Sequence, residues 1–234
     1  MRIDKFLSNN GFGSRKDVKV LLKKKIVKCN DVIILKPETN INPTIDKIMV
    51  NDTLVKYQEY HYFLLNKPKG YLSATEDNKQ LTVLDLLPDY RHLNLFPVGR
   101  LDKDTTGVLL ITDDGQLAHN LLSPKKHVDK VYIATLDKPI PEEIVSSFEK
   151  GIILDDELTL PAKLEILSPN VGKVTLHQGK YHQVKRMFSH FGLNVTDLHR
   201  EKFAFLTISS LKEGNFRELN KEEIELLSNY KQNN

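Results

Sequence analysis

Three polar segments carry residue types that can do chemistry. In residues 98–115, Arg100, Asp102, Lys103, Asp104, Thr105 and Thr106 lie between apolar flanks, ahead of a strand-like run and an Asp113-Asp114-Gly115 turn. Loops held on a rigid strand are where functional groups concentrate, and a carboxylate such as Asp102 suits acid, base or nucleophilic work. The same residues also read as an Asx-turn with surface ion pairs. In residues 178–192, Val184, Met187, Phe188 and Phe191 recur at helical spacing and Gly192 follows as a stop. Lys180, His182, Lys185 and Arg186 lie beside that apolar face. With Lys125, Lys126, His127, Lys130, Arg200 and Lys202, they suggest a cleft lined for phosphates. Residues 66–70, Asn-Lys-Pro-Lys-Gly, end an apolar strand with a turn that holds Lys67 and Lys69.

The elements that must position these groups follow from spacing. Ser14 and Asp17 have the separation of a capping box, so a helix is expected to start there with Val18, Leu21 and Leu22 inward. Arg15, Lys19 and Lys23 then face outward. Residues 26–29 and 32–35 read as strands joined by a tight Asn30-Asp31 turn, with Cys29 as a packing residue. Strands are expected at 62–65, 108–112, 131–136, 164–167, 173–176 and 205–208. Helices are expected after Pro141, ended by Gly151, and after Asn220. The expectation is an α+β fold: a small N-terminal domain over residues 1–58, a polar linker near 56–60, and a larger domain over 59–234. The larger domain should have a mixed, mainly antiparallel sheet with flanking helices.

Charge separates the two parts. The chain of 234 residues holds 34 Lys+Arg against 31 Asp+Glu. Residues 1–58 hold 12 basic and 6 acidic side chains, and residues 59–234 hold 22 and 25. Nine of the basic and two of the acidic groups fall within residues 1–28, a density that suits a polyanion. Nucleic acid is therefore the expected partner. One cysteine excludes an internal disulfide and any cysteine-based zinc site. Apolar runs are too short to span a bilayer and the N-terminus has no apolar leader core, so a soluble, cytoplasmic protein with no membrane contact is expected.

Residues 1–58, from Arg2-Ile3-Asp4-Lys5-Phe6-Leu7 through Ser14-Arg15-Lys16 to Lys28-Cys29-Asn30, resemble an S4 RNA-binding domain. The chain as a whole resembles the RsuA-type family of ribosomal RNA pseudouridine synthases. The resemblance lies in the order of 66–70, the Gly99-Arg100-Leu101-Asp102 loop, Lys130-Val131-Tyr132 and the basic helix after Gly179. The form of residues 181–188, with Leu198-His199-Arg200-Glu201 following, is most similar to members acting on the small-subunit (16S) RNA. Ala204 departs from the family, which often has glycine nearby.

This resemblance implies isomerisation of uridine to pseudouridine without a cofactor or metal. Asp102 is implied as the reacting carboxylate, Lys185 as the cation against it, and Tyr132 as the ring beneath the target base. RNA contacts are expected from Arg2, Arg15, Lys16, Lys19, Lys23 and Lys28 in the first domain. In the second they are expected from Lys67, Arg100, Lys130, His182, Arg186 and Arg200. Ribosomal RNA, free or in an assembling small subunit, is the expected partner of a monomer. Three alternatives stay open: action on large-subunit RNA, a non-catalytic ribosome-assembly protein, and a metal-dependent RNA hydrolase built on Asp102, Asp104, Asp113 and Asp114.

Overall fold

A computed structural model describes residues 1–232. The chain divides into two compact units: Met1–His61 together with Leu87–Leu95, and the remainder from Tyr62 onward. This division falls three residues after the expected 58/59 boundary, and 87–95 groups with the first unit.

In the first unit, α1 (Ile3–Asn9) precedes α2 (Arg15–Lys23), followed by β1 (Val27–Cys29), β2 (Val32–Ile33), β3 (Ile48–Val50) and β4 (Thr53–Leu54). Helix α2 begins as its residues dictate, because the Ser14 hydroxyl accepts from Asp17 N while the Asp17 carboxylate accepts from Ser14 N. Asn30 and Asp31 both adopt positive φ, which lets two residues turn β1 into β2 with matching twist. The four strands order as β2-β1-β3-β4, all antiparallel. Ile3, Phe6, Leu7, Val18, Leu22 and Ile48 fill the core, and Cys29 packs against it.

The second unit is built on one nine-stranded sheet, with a separate two-stranded hairpin. Its elements are β5 (Tyr62–Lys67), β6 (Phe96–Pro97), β7 (Thr106–Thr112), α3 (Gly115–Leu122), β8 (Lys130–Leu136), α4 (Ile144–Lys150) and the β9–β10 hairpin (Ile153–Leu154, Glu157–Leu158). Then come β11 (Lys163–Ser168), β12 (Val171–Leu176), α5 (Gln183–Ser189), β13 (Val195–Phe203), β14 (Leu206–Thr207), β15 (Phe216–Glu218) and α6 (Lys221–Gln232). The strand order is β11-β12-β8-β13-β7-β5-β15, with β14 on β13 and β6 on β7. Every pairing is antiparallel except β13 with β7, so the sheet is mixed and mainly antiparallel. Strands β5 and β7 are buried along their whole length, which explains their unbroken apolar runs. Among the described residues, no helix is long and apolar enough to cross a membrane.

Two elements differ from the expected pattern. The long strand β13 was not expected, because only three of its nine residues are strongly apolar and two register shifts break its alternation. The strand expected at 205–208 is only the short return β14. Asp114, read as a turn residue, is buried and opens α3 by accepting from Leu117 N at 3.1 Å.

Candidate active site

The loop between Leu101 and Thr105 is held from beneath by a buried amine. Lys67 ends β5 with no solvent exposure, and its Nζ donates to the carbonyls of Pro68 (3.0 Å), Asp102 (3.1 Å), Lys103 (3.3 Å) and Thr105 (2.9 Å). Gly70 N adds a bond to the Lys103 carbonyl at 2.8 Å. The buried Ser73 hydroxyl donates to Leu101 O and accepts from Leu101 N, at 2.9 and 3.0 Å. Backbone groups that would otherwise be unpaired thus fix the loop, and with it the direction of the Asp102 side chain.

That side chain is about a quarter exposed, at 23%, and meets a basic side chain at each of its two oxygens. Lys185 Nζ lies 3.1 Å from Asp102 Oδ2, and His182 Nε2 lies 3.4 Å from Oδ1. Lys185 also donates to Asp104 Oδ1 at 2.6 Å. Burial alone would lower the Lys185 pKa, but hydrogen bonds to Asp104 and Asp102 outweigh it and raise the value. The Lys185 bond in turn holds the Asp104 carboxyl below its ordinary range, against the opposing effect of burial. Helix α5 supplies this lysine because Val184, Met187 and Phe188 bury its other face, with Phe188 against Phe148 of α4.

Tyr132 is buried in β8. Register places it in one row across the sheet: Val174 pairs Tyr132, Tyr132 pairs Arg200, Arg200 pairs Gly107, and Gly107 pairs Lys67. The Arg200 side chain is also internal. Its Nε donates to Val108 O at 2.7 Å, its Cζ lies 5.0 Å over the Phe203 ring, and its Nη2 has no hydrogen-bond partner. Lys130 points to the same ring at 5.8 Å, and burial with the Arg200 charge lowers its pKa to about 8. Burial likewise brings Lys67 down to about 8.

The residues expected to contact RNA differ in their surroundings. Lys67, Lys130 and Arg200 are buried scaffold residues with no surface to offer a phosphate; a lysine that continues a doubly buried strand was the available signal for Lys67. Arg186 is tied to Asp155 at 2.5 Å, and Arg100 is exposed beside the site. In the first unit, Arg15, Lys16, Lys19 and Lys23 are exposed as expected. Arg2 and Lys28 pair with Asp4 (2.7 Å) and Asp52 (2.6 Å). The contribution of Asp104 as the second acid on Lys185 was missed, since nothing local in the sequence pairs residues 81 positions apart. Asp113 and Asp114 sit at the opposite end of β7 from Asp102 and Asp104. Among the described residues, no group of three His, Cys, Asp or Glu is placed to hold a metal ion.

A carboxylate held in a rigid loop, beside an ammonium and an imidazole and partly shielded from water, is equipped to attack or to accept a proton. Comparison with known proteins gives this geometry a family. Residues 61–190 match the family model of RNA pseudouridylate synthase. The chain is 43% identical to the uncharacterized RNA pseudouridine synthase YtzG of Bacillus subtilis, covering 97% of this chain and 98% of that protein. It is 38% identical to ribosomal small subunit pseudouridine synthase A of Escherichia coli, covering 96% and 98%. A solved pseudouridylate synthase superposes with a TM-score of 0.68 at 38% identity, covering 97% of this chain and 99% of that one. A buried-lysine cradle for a loop carboxylate, a basic helix set against it, and nearly full-length similarity to these proteins all agree: the chain belongs to the RNA pseudouridylate synthase family and is a pseudouridine synthase, an isomerase.

Proposed function

We propose that this enzyme isomerises one uridine of small-subunit ribosomal RNA to pseudouridine, with Asp102 as the reacting carboxylate. The reaction breaks the bond from ribose C1′ to uracil N1, turns the base and forms the bond from C1′ to C5; C5 releases its proton and N1 takes one up. Nothing is oxidised and no group is lost, so the chain's own residues suffice for the steps. Asp102 attacks or takes a proton with the Lys185 ammonium 3.1 Å away. Tyr132 packs against the extruded base, and the buried row around it limits where the free uracil can turn. The target sits in folded RNA and must be flipped out to reach this loop. The first unit acts as an S4-type RNA-binding domain, presenting Arg15, Lys16, Lys19 and Lys23 to phosphates.

The observation that carries the reading is the Asp102–Lys185 contact of 3.1 Å at a partly buried loop. The small-subunit target rests on the name of the relative from Escherichia coli. Asp102→Asn is expected to cut tritium release from C5-labelled small-subunit RNA by on the order of a thousandfold or more, with RNA affinity retained. Unchanged turnover in that variant would remove Asp102 from the chemistry. Mapping pseudouridines in cells lacking the protein tests the target. A missing modification in large-subunit RNA instead would replace the proposed substrate.

A further inference from the structure

Tyr181 stands out on the surface of the catalytic unit: a large ring, 76% exposed, next in sequence to a residue that touches Asp102. Its ring stacks on the His182 imidazole with centroids 3.8 Å apart and planes 18° from parallel. His182 Nε2 in turn lies 3.4 Å from Asp102. The pair is held in place by its surroundings. His182 adopts φ 47, a left-handed conformation that costs a non-glycine residue free energy and concentrates at functional sites. Lys180 N donates to Oε1 of the buried Gln183 at 2.9 Å. Arg186 Nη1 donates to the Tyr181 carbonyl at 3.4 Å while its Nη2 is fixed on Asp155. Strained, braced backbone thus supports two stacked rings in the open. One face of Tyr181 lies on the imidazole, and its high exposure leaves the other face to solvent.

We propose that Tyr181, backed by His182, is a stacking platform for an unpaired RNA base adjacent to the uridine that enters the Asp102 loop. The proposal rests on the RNA-modifying reading above and extends it to a specific neighbouring nucleotide. Every base has a π-face, so a preset aromatic surface captures an unstacked neighbour without reading its edge, and a rigid platform loses little freedom on binding. Lys180, paired with Glu157, and Arg186, paired with Asp155, flank the rings, and phosphates on either side of the base compete with those carboxylates for them. The stack also couples the neighbour to the chemistry, because the ring beneath it is the one that faces the carboxylate.

The test is affinity of the full chain for a single-stranded oligouridylate of about eight nucleotides at low salt. Tyr181→Ala is expected to weaken binding about tenfold to a hundredfold, while Tyr181→Phe, which keeps the ring, binds like the parent. Abasic residues placed singly along the oligomer are expected to reveal one position whose loss matches that of Tyr181→Ala and does not add to it. The platform is overturned by unchanged affinity in Tyr181→Ala, by an equal loss in Tyr181→Phe, by additivity at every abasic position, or by a parent that does not bind the oligomer. Failure of the parent to form pseudouridine in small-subunit RNA would instead sink the catalytic reading and leave these binding results standing.

Discussion

Two buried amines lie in the sheet around the Asp102 loop, and they do different work. Lys67 satisfies four carbonyls and so positions the Asp102 loop. Lys130 has one carbonyl, that of Val128 at 3.3 Å, and lies near the like charge of Arg200. Unfolded, the Lys130 amine titrates near 10.5; folded, burial first and Arg200 second bring it to about 8. Between those values the unfolded chain binds more protons. The contribution of Lys130 to stability therefore rises with pH across that window and is flat below it. Lys130→Met should be no less stable than the parent at pH 7, and the parent should gain on it by up to about 3 kcal/mol by pH 10.5. Urea unfolding of both proteins at pH 7, 9 and 10.5 checks this; a constant difference would mean that the amine is not desolvated. Asp102 itself was legible in the sequence as a loop carboxylate, and its proposed role rests on a resemblance. Which cation it meets was implied, whereas the sharing of Lys185 with Asp104 was not, because that contact joins a loop and a helix far apart in the chain.

Among elements, β13 shows most clearly how the site is assembled. It is the strand that brings Arg200 beside Tyr132 on one side and Gly107 on the other, through the sheet's one parallel pairing. Gly107 has φ 109, and a Cβ there would meet the Arg200 carbonyl oxygen at 2.2 Å, backbone that cannot step aside. Gly107→Ala is accordingly expected to cost about 3 kcal/mol, through both the clash and the positive φ, and to displace the loop that precedes β7. Denaturant titration together with turnover checks it; wild-type stability would show that β7 and β13 are farther apart than described. Ala204 adopts φ 55 just after β13, a left-handed conformation that glycine takes at lower cost. Elements with local signals were readable: the Ser14 capping box, the Asn30-Asp31 turn, and α6, where Asn220 and Glu223 cap each other at 2.9 Å in both directions. Strand β13 was not, because polar residues on a strand are stabilised by what lies across the sheet, which local spacing does not record.

For the whole molecule, charge distribution is the property that bears on substrate capture. Exposed Arg15, Lys16, Lys19 and Lys23 on α2 supply a basic stripe in the first unit. Replacing these four by Gln is expected to weaken binding of ribosomal RNA and to flatten its dependence on log salt by about 3, at roughly 0.7–0.9 for each phosphate no longer neutralised. Filter binding or anisotropy between about 50 and 200 mM salt reads the slope; an unaltered slope would mark the stripe as plain solvated surface. The sequence by itself determined the two-part organisation in outline, the concentration of positive charge near the N-terminus, the buried runs of the central strands and the helix face beneath Lys185. Each of these depends on neighbours within a few turns or on composition. Only the tertiary structure decided which basic residues face solvent and which are internal, and that Lys67 cradles the Asp102 loop. It alone joined Asp102, Asp104, His182 and Lys185 in one cluster. Those outcomes are set by partners distant in sequence, where burial and hydrogen bonding choose among side chains that look alike along the chain.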